Sequence, residues 1–410
     1  MAERSQGVET PLLNQRIASI DVFRGLTILA MIFVNDLARL RDIPAWMRHA
    51  PTDADAMTFV DVVFPAFLFI VGLAIPLALG RRLARGEPLR RILGHIVLRT
   101  ASLLIIGVLM LNMREIDPDA TGISRDWWTA LMFGGVVLVW NGYPRAAGGR
   151  CLYWTLRGLG CVVLIGMAAI FRGSGEGNAG VTWLRTGWWG ILGLIGWAYL
   201  TTCVAYLALR RSPAAMVGMV ALMTALSLGD RAGALSSLAF INEYVWLGGH
   251  IGGHASITMA GVLVGMLFVD ASAARRPGAR IAWMLVLAVG LAAAGLLLRP
   301  LHGISKNDAT PTWCLYSAAI CCVCCAGLYW LVDLKGARRA FAFVGPAGSN
   351  ALLAYILPGW LHAVLGIAGI DFLQTHFNTG AVGIIRAAVF ALAILALTAG
   401  LGRLGIRLRL

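Results

Sequence analysis

The chain alternates long apolar runs with short polar connections. Twelve runs approach or exceed the length a helix needs to cross a hydrocarbon layer, about 20 residues: 18–38, 59–80, 92–112, 127–143, 152–171, 188–209, 213–229, 254–269, 281–298, 312–332, 341–366 and 384–402. The pattern predicts an all-α fold, a polytopic integral membrane helix bundle of about 12 transmembrane helices. No linker separates soluble units, so we expect one membrane domain over 18–403 with short cytoplasmic tails at 1–17 and 404–410. Met1 to Arg16 is polar and lacks an apolar core before a small-residue cleavage site, so no cleavable signal peptide is expected.

Composition agrees with lipid as the solvent. The 410 residues are 59% hydrophobic and 13% charged, with a mean hydropathy of +0.77, whereas soluble domains are about half apolar and a quarter charged. The net charge of +14 would suit nucleic acid, but its distribution does not. Arg81, Arg82, Arg85, Arg90 and Arg91 follow the second run, Arg145 and Arg150 the fourth, and Arg210 and Arg211 the sixth. Arg275, Arg276 and Arg280 follow the eighth, Lys335, Arg338 and Arg339 the tenth, and Arg403, Arg407 and Arg409 close the chain. The alternate connections mix acids with bases. That alternation is the positive-inside pattern and predicts both termini in the cytoplasm, with a bacterial inner membrane as the location and no nucleic-acid partner.

Small residues and cysteines read as packing. Gly190, Gly193 and Gly196 would let helices approach closely in lipid, and Pro65, Pro76, Pro346 and Pro358 fall inside predicted spans, where each can kink a helix. Cys314, Cys321, Cys322, Cys324 and Cys325 crowd one run and cannot pair with each other; they read as small apolar residues, with no metal expected. No internal repeat is evident, which weighs against a transporter built from inverted halves. The tryptophans gather at predicted interfaces as an aromatic belt. Trp46, three residues before His49, is the one best placed to stack on a sugar.

Candidate chemistry collects in the outer connections. Imidazole titrates close to neutrality and can take and return a proton. His49 lies between the first two runs, with Asn35 at the end of the first and Asp61 just inside the second. An ionisable group at such a depth calls for a partner or a water-filled cavity, and a carboxylate beside an imidazole fixes its tautomer. A pairing of Asp61 with Arg48 is the purely structural alternative. A second polar cluster runs from His302 to Trp313 and includes Lys306 and Asn307. A third places His250 and His254 four residues apart, where the Gly-Gly pairs argue against a helix. The candidate catalytic residues are His49, Asn35 and Asp61, and the candidate acceptor-binding residues are Trp46, His254, His302, Lys306 and Asn307. On the cytoplasmic side, Lys335 and Arg338 precede a Gly-rich helix start, an arrangement that suits phosphate; with Ser349 and Asn350 they form the candidate cofactor-binding set.

SIDVFRG (Ser19 to Gly25), FVN (Phe33 to Asn35), RHA (Arg48 to Ala50) and FVDVVFPAFLFIVG (Phe59 to Gly72) come in that order, followed by Lys306–Asn307, Trp313, VDLKG and GSNALLAY. Together they resemble the transmembrane acyltransferase family of heparan-α-glucosaminide N-acetyltransferase. The resemblance implies acetyl-CoA as acetyl donor on the cytoplasmic side, no permanently bound cofactor, and an amino-sugar acceptor on the far side. By the match to the RHA motif it implies His49 as the catalytic histidine, with Asn35 as a neighbouring active-site amide. The expected function is therefore a membrane-embedded acetyltransferase acting on a glucosamine-type amine. The alternatives are an O-acyltransferase of a cell-surface glycan and an amino-sugar transporter. Expected partners besides the two substrates are membrane lipid and a second copy of the chain as a homodimer.

Overall fold

A computed structural model describes residues 17–144, 149–174, 180–269 and 276–410. Residues 1–16 of the expected tail 1–17, Arg145 and Arg275 lie outside these. The described residues form an all-α bundle with one two-residue hairpin, β1 (Gly173–Ser174) against β2 (Val181–Thr182). In chain order the helices are α1 (Ala18–Leu37), α2 (Val60–Ala84), α3 (Leu89–Asn112), the single turn α4 (Pro118–Thr121), α5 (Arg125–Trp140) and α6 (Arg150–Ile170). There follow α7 (Gly190–Leu209), α8 (Pro213–Arg231), the turn α9 (Ala239–Asn242), α10 (Ala255–Met266) and α11 (Pro277–His302). Finally come α12 (Pro311–Leu328), α13 (Gly345–Ser349), α14 (Ala351–Ile367), α15 (Phe372–His376) and α16 (Gly380–Arg403).

The span count differs from twelve. Among the described residues nine helices are long and apolar enough to cross a membrane, and a tenth crossing is a pair bent by 76° between Ser349 and Ala351. The two other predicted runs are helical but short. The 127–143 run is α5, of 16 residues. The 254–269 run is α10, of 12 residues, extended backwards by a π-helical turn at Leu247–His254. That turn corrects the expectation that Gly-Gly pairs break the helix here. A side chain at Gly252 would meet the backbone of Met223 and Ser227 at 2.9 Å, and one at Gly253 the carbonyl of Ala309 at 3.0 Å. The glycines serve close packing, and the wider π-turn keeps the chain helical. Pro346 lies in the first half of that bent pair, in the first turn of α13, where a missing N–H costs nothing.

Backbone-to-backbone approach holds the centre together. The long α2 packs along α10, α11 along α12, α3 along α7 and α5 along α6. A Cβ on Gly72 would collide with the carbonyl of Thr258, and one on Gly261 with that of Phe69. These collisions show why α2 and α10 carry glycine where they cross, in a medium that offers no water-driven force between helices. At one end of α1, Asp333 accepts the backbone N–H groups of Ala18 (3.1 Å) and Ser19 (3.0 Å), capping donors the helix itself cannot satisfy. The opposite end of α1 leads into the connection that carries His49.

Candidate active site

The loop from Ala38 to Phe59 is shaped by a 3₁₀ turn at Ala45–Met47 and delivers His49 to the first turn of α2. Thr58-Phe59-Val60-Asp61 has the spacing of a capping box. The Asp61 side chain reaches back so that Oδ2 accepts the backbone N–H of Thr58 at 3.0 Å and that of Ala50 at 3.1 Å. The hydroxyl of Thr58 donates to the carbonyl of Arg48 at 2.7 Å. Trp313, itself fully buried, donates its indole N–H to the Asp61 carbonyl at 3.2 Å. Asp61 is 1% exposed, and a carboxylate at a helix N-terminus complements the helix dipole. Its remaining oxygen, Oδ1, lies 2.6 Å from His49 Nδ1. Arg48 contributes only its carbonyl, so the partner of Asp61 is His49.

This geometry sets the tautomer. Nδ1 carries the proton donated to Asp61, which leaves Nε2 with an in-plane lone pair. The His49 side chain is 43% exposed, so the lone pair is open to a substrate. Lys306 Nζ stands 3.1 Å from both ring nitrogens. Equal distances place it over the ring, because an in-plane position between the nitrogens would collide with Cε1. Lys306 is half-buried. Burial pushes its pKa below the ordinary lysine value, with the Asp61 charge pulling the other way.

The Lys306 loop is locked to the His49 loop by several contacts. Asn307 donates to Thr52 Oγ1 at 3.1 Å. Asp55 accepts Ile304 N–H at 2.7 Å and pairs with Arg299 at 3.0 Å. Inside the loop, Ser305 donates to Asp308 at 2.7 Å. Two segments about 250 residues apart in sequence are thus one rigid wall around the imidazole.

The other predicted residues are spread more widely. Trp46 is 60% exposed and packs its ring 5.6 Å from that of Phe59, making an aromatic ledge beside Thr58. Asn35 is exposed on the last turns of α1 and makes no side-chain hydrogen bond among the described residues. Its neighbour Asp36 turns inward to Arg386 at 2.8 Å, with His362 Nε2 3.9 Å away. His302 is the last residue of α11. His254 is not in the open site: it is 5% exposed, behind Trp313 (6.2 Å) and Phe64 (5.4 Å), stacked on His250 at 6.0 Å.

At the far end of α1, about 30 Å away at 1.5 Å per residue, Lys335 lies over the Trp330 ring and Arg338 is 3.7 Å from Asp333. Ser349 donates to the Pro346 carbonyl at 3.1 Å. Asn350 is buried and bonds Ile406 and Leu408, so its amide holds the C-terminal segment. Thr58, Trp313 and Asp333 were missed as site residues. For Thr58 the capping-box spacing was the available signal; the other two act on partners hundreds of residues away.

A model of a domain of unknown function, DUF5009, matches residues 16–247. The heparan-alpha-glucosaminide N-acetyltransferase of Homo sapiens is 37% identical over 101 residues, which is 24% of this chain and 14% of that protein. The Mus musculus protein of the same name is 37% identical over 98 residues, again 24% and 14%. The matched stretch thus spans about one seventh of the length of each relative.

Proposed function

The chain belongs to the DUF5009 family, and from that premise we propose that it is a membrane-embedded acetyltransferase. In this reading it moves acetyl from cytoplasmic acetyl-CoA to the amino group of a glucosamine-type sugar, with His49 as general base. The named N-acetyltransferases it resembles support the reaction class. The observation that carries the assignment of His49 is its 2.6 Å contact with a buried Asp61 carboxylate that also accepts two backbone N–H groups, which leaves Nε2 as the free base.

An ammonium has no lone pair, so the acceptor first gives one proton to solvent. The free amine attacks the thioester carbon while His49 Nε2 takes its second proton, and Asp61 steadies the imidazolium. The tetrahedral oxyanion needs a donor; Lys306 Nζ stands beside the imidazole for that role, and Asn35 has a free amide at the same end of the bundle. Collapse breaks the C–S bond, and the departing thiolate takes the proton back from His49. The products are the N-acetyl sugar and CoA thiol, with His49 neutral again. Removing such a base typically costs about 10²–10⁴-fold in rate.

The arginine runs support a topology with both termini, Lys335 and Arg338 on the cytoplasmic side; in this reading the membrane is a bacterial inner membrane and the two side chains meet the phosphates of the donor. The test is a product assay with [¹⁴C]acetyl-CoA and a panel of amino sugars and their hydroxyl analogues. An acid-stable N-acetyl product from glucosamine is expected. Acetyl esters formed with no amide product would replace the amine by a hydroxyl acceptor.

A further inference from the structure

Among the described residues two apolar grooves flank the bundle, and the smaller of them adjoins the His49 site. The larger, about 830 Å³, runs between α8 and α11 past Val217, Ala221, Val286 and Gly290; it contains no member of the His49 site. The second, about 760 Å³, lies between α1, α2 and α12. Its deep end is formed by Phe23 and Leu328, its middle by Ala30, Ala66 and Ile320, and its mouth by Thr58 and Phe59. Thr58 is the residue whose backbone holds Asp61, and Phe59 is the residue whose ring meets Trp46. The mouth of the groove is therefore formed by the residues that adjoin the Asp61–His49 pair and the Trp46 ring, although neither His49 nor Trp46 lines it. Ile320, Cys324 and Gly327 on its flank are exposed, so it opens sideways toward lipid.

We propose that the acceptor of this enzyme is carried by a membrane lipid: its hydrocarbon chain lies in the α1–α2–α12 groove and its amino-sugar head stands at His49. The inference rests on the acetyltransferase reading and names its substrate class. The lining decides between this occupant and the pantetheine arm of the donor. That arm carries two amides, and burying an amide without a hydrogen bond costs about 1–3 kcal/mol by protein mutational data. The groove offers only the hydroxyls of Thr27 and Thr58 and the thiol of Cys324 among its lining residues, and Thr58 is already engaged. A hydrocarbon chain has no such cost. It also gains little from leaving lipid, since lipid tails are as apolar as leucine; what the groove supplies is position. Antiparallel stretches of α1 and α2 line it over on the order of 20 Å, from the mouth to beyond the bundle's mid-depth.

The experiment compares dodecyl β-glucosaminide with methyl β-glucosaminide as acceptors for the full-length protein in phosphatidylcholine nanodiscs. A side chain at Gly327 would meet no protein atom within 4 Å, and the same holds for Gly290 in the other groove. Both glycines line their grooves, so Gly327→Trp adds bulk to the groove beside the His49 site and Gly290→Trp adds it to the other, each with room for its Cβ. Partitioning of the alkyl acceptor into lipid is the same for all three proteins, so it cancels. Gly327→Trp is expected to lower the ratio of kcat/KM for dodecyl over methyl acceptor by up to about 10²-fold, the cost of misplacing a reacting group by about 1 Å, whereas Gly290→Trp leaves that ratio unchanged. An unchanged ratio in Gly327→Trp overturns the proposal, and a raised KM for acetyl-CoA in that variant gives the groove to the donor instead. If the wild-type protein acetylates neither amine, the acetyltransferase reading fails by itself. The groove is then read by maleimide alkylation of Cys324, followed by peptide mass spectrometry. Slower alkylation in dodecyl than in methyl glucosaminide supports a lipid-borne amino sugar there; equal rates overturn it.

Discussion

At the scale of single residues, the proposed reactive centre is a histidine whose two nitrogens meet different surroundings, Nδ1 facing Asp61. Asp61 was legible as its partner because the carboxylate sits at an apolar helix start, where an unpaired charge is costly. Lys306 was legible as a candidate acceptor-binding residue in a polar outer run, but nothing in the spacing placed its ammonium 3.1 Å from the imidazole. Its position has a pH consequence. Because burial lowers its pKa, Lys306 loses its proton as pH rises at a value below the ordinary about 10.4. If the ammonium stabilises the oxyanion, kcat falls on that basic limb. Lys306→Arg keeps a charge that does not titrate, so the limb should move out of range, while Lys306→Met should be slow at every pH. An identical basic limb in wild type and Lys306→Arg, followed by CoA release across pH 7 to 10.5, would remove Lys306 from the chemistry.

At the scale of elements, the apolar runs gave every long helix, but not how far each one reaches. The 127–143 run is apolar enough to cross lipid and yet folds as the 16-residue α5, whereas the 254–269 run folds as the 12-residue α10 and gains its length from the π-helical turn before it. Hydropathy reports the solvent of a segment, whereas π-turns and bends depend on what packs beside it. The glycines show the same division. Gly72 was visible in the FIVG motif, but that it faces a carbonyl of α10 was not. Gly72→Leu should force α2 and α10 apart, at a cost on the order of 1–3 kcal/mol or more. Gly94→Leu, where a Cβ meets nothing within 4 Å, should be far milder. Melting of the two purified variants in detergent checks this, and equal melting temperatures would show that the α2–α10 crossing tolerates a side chain.

At the scale of the whole molecule, the reading is an enzyme with a donor end and an acceptor end separated by the length of α1. The ion pair of Asp36 with Arg386, 350 residues apart, and the capping of α1 by Asp333 show why such organisation escapes a linear reading: each joins segments that meet only once the bundle has formed. Sidedness is testable directly. In an otherwise Cys-free protein in intact cells, a membrane-impermeant maleimide should label position 49 from outside, and position 87 only after the inner face is opened. Labelling of both from the same side would contradict the arginine-based topology.

The central claim is that His49, held by Asp61, is the base that drives acetyl transfer. The most direct measurement is the single-turnover rate of N-acetyl glucosamine formation by His49→Ala, alongside acetyl-CoA binding and thermal unfolding of the same preparation. Because His49 stands in a half-exposed connection, its removal should leave folding and donor binding close to wild type while the rate falls about 10²–10⁴-fold. A well-folded His49→Ala protein that acetylates glucosamine at close to the wild-type rate would contradict the account.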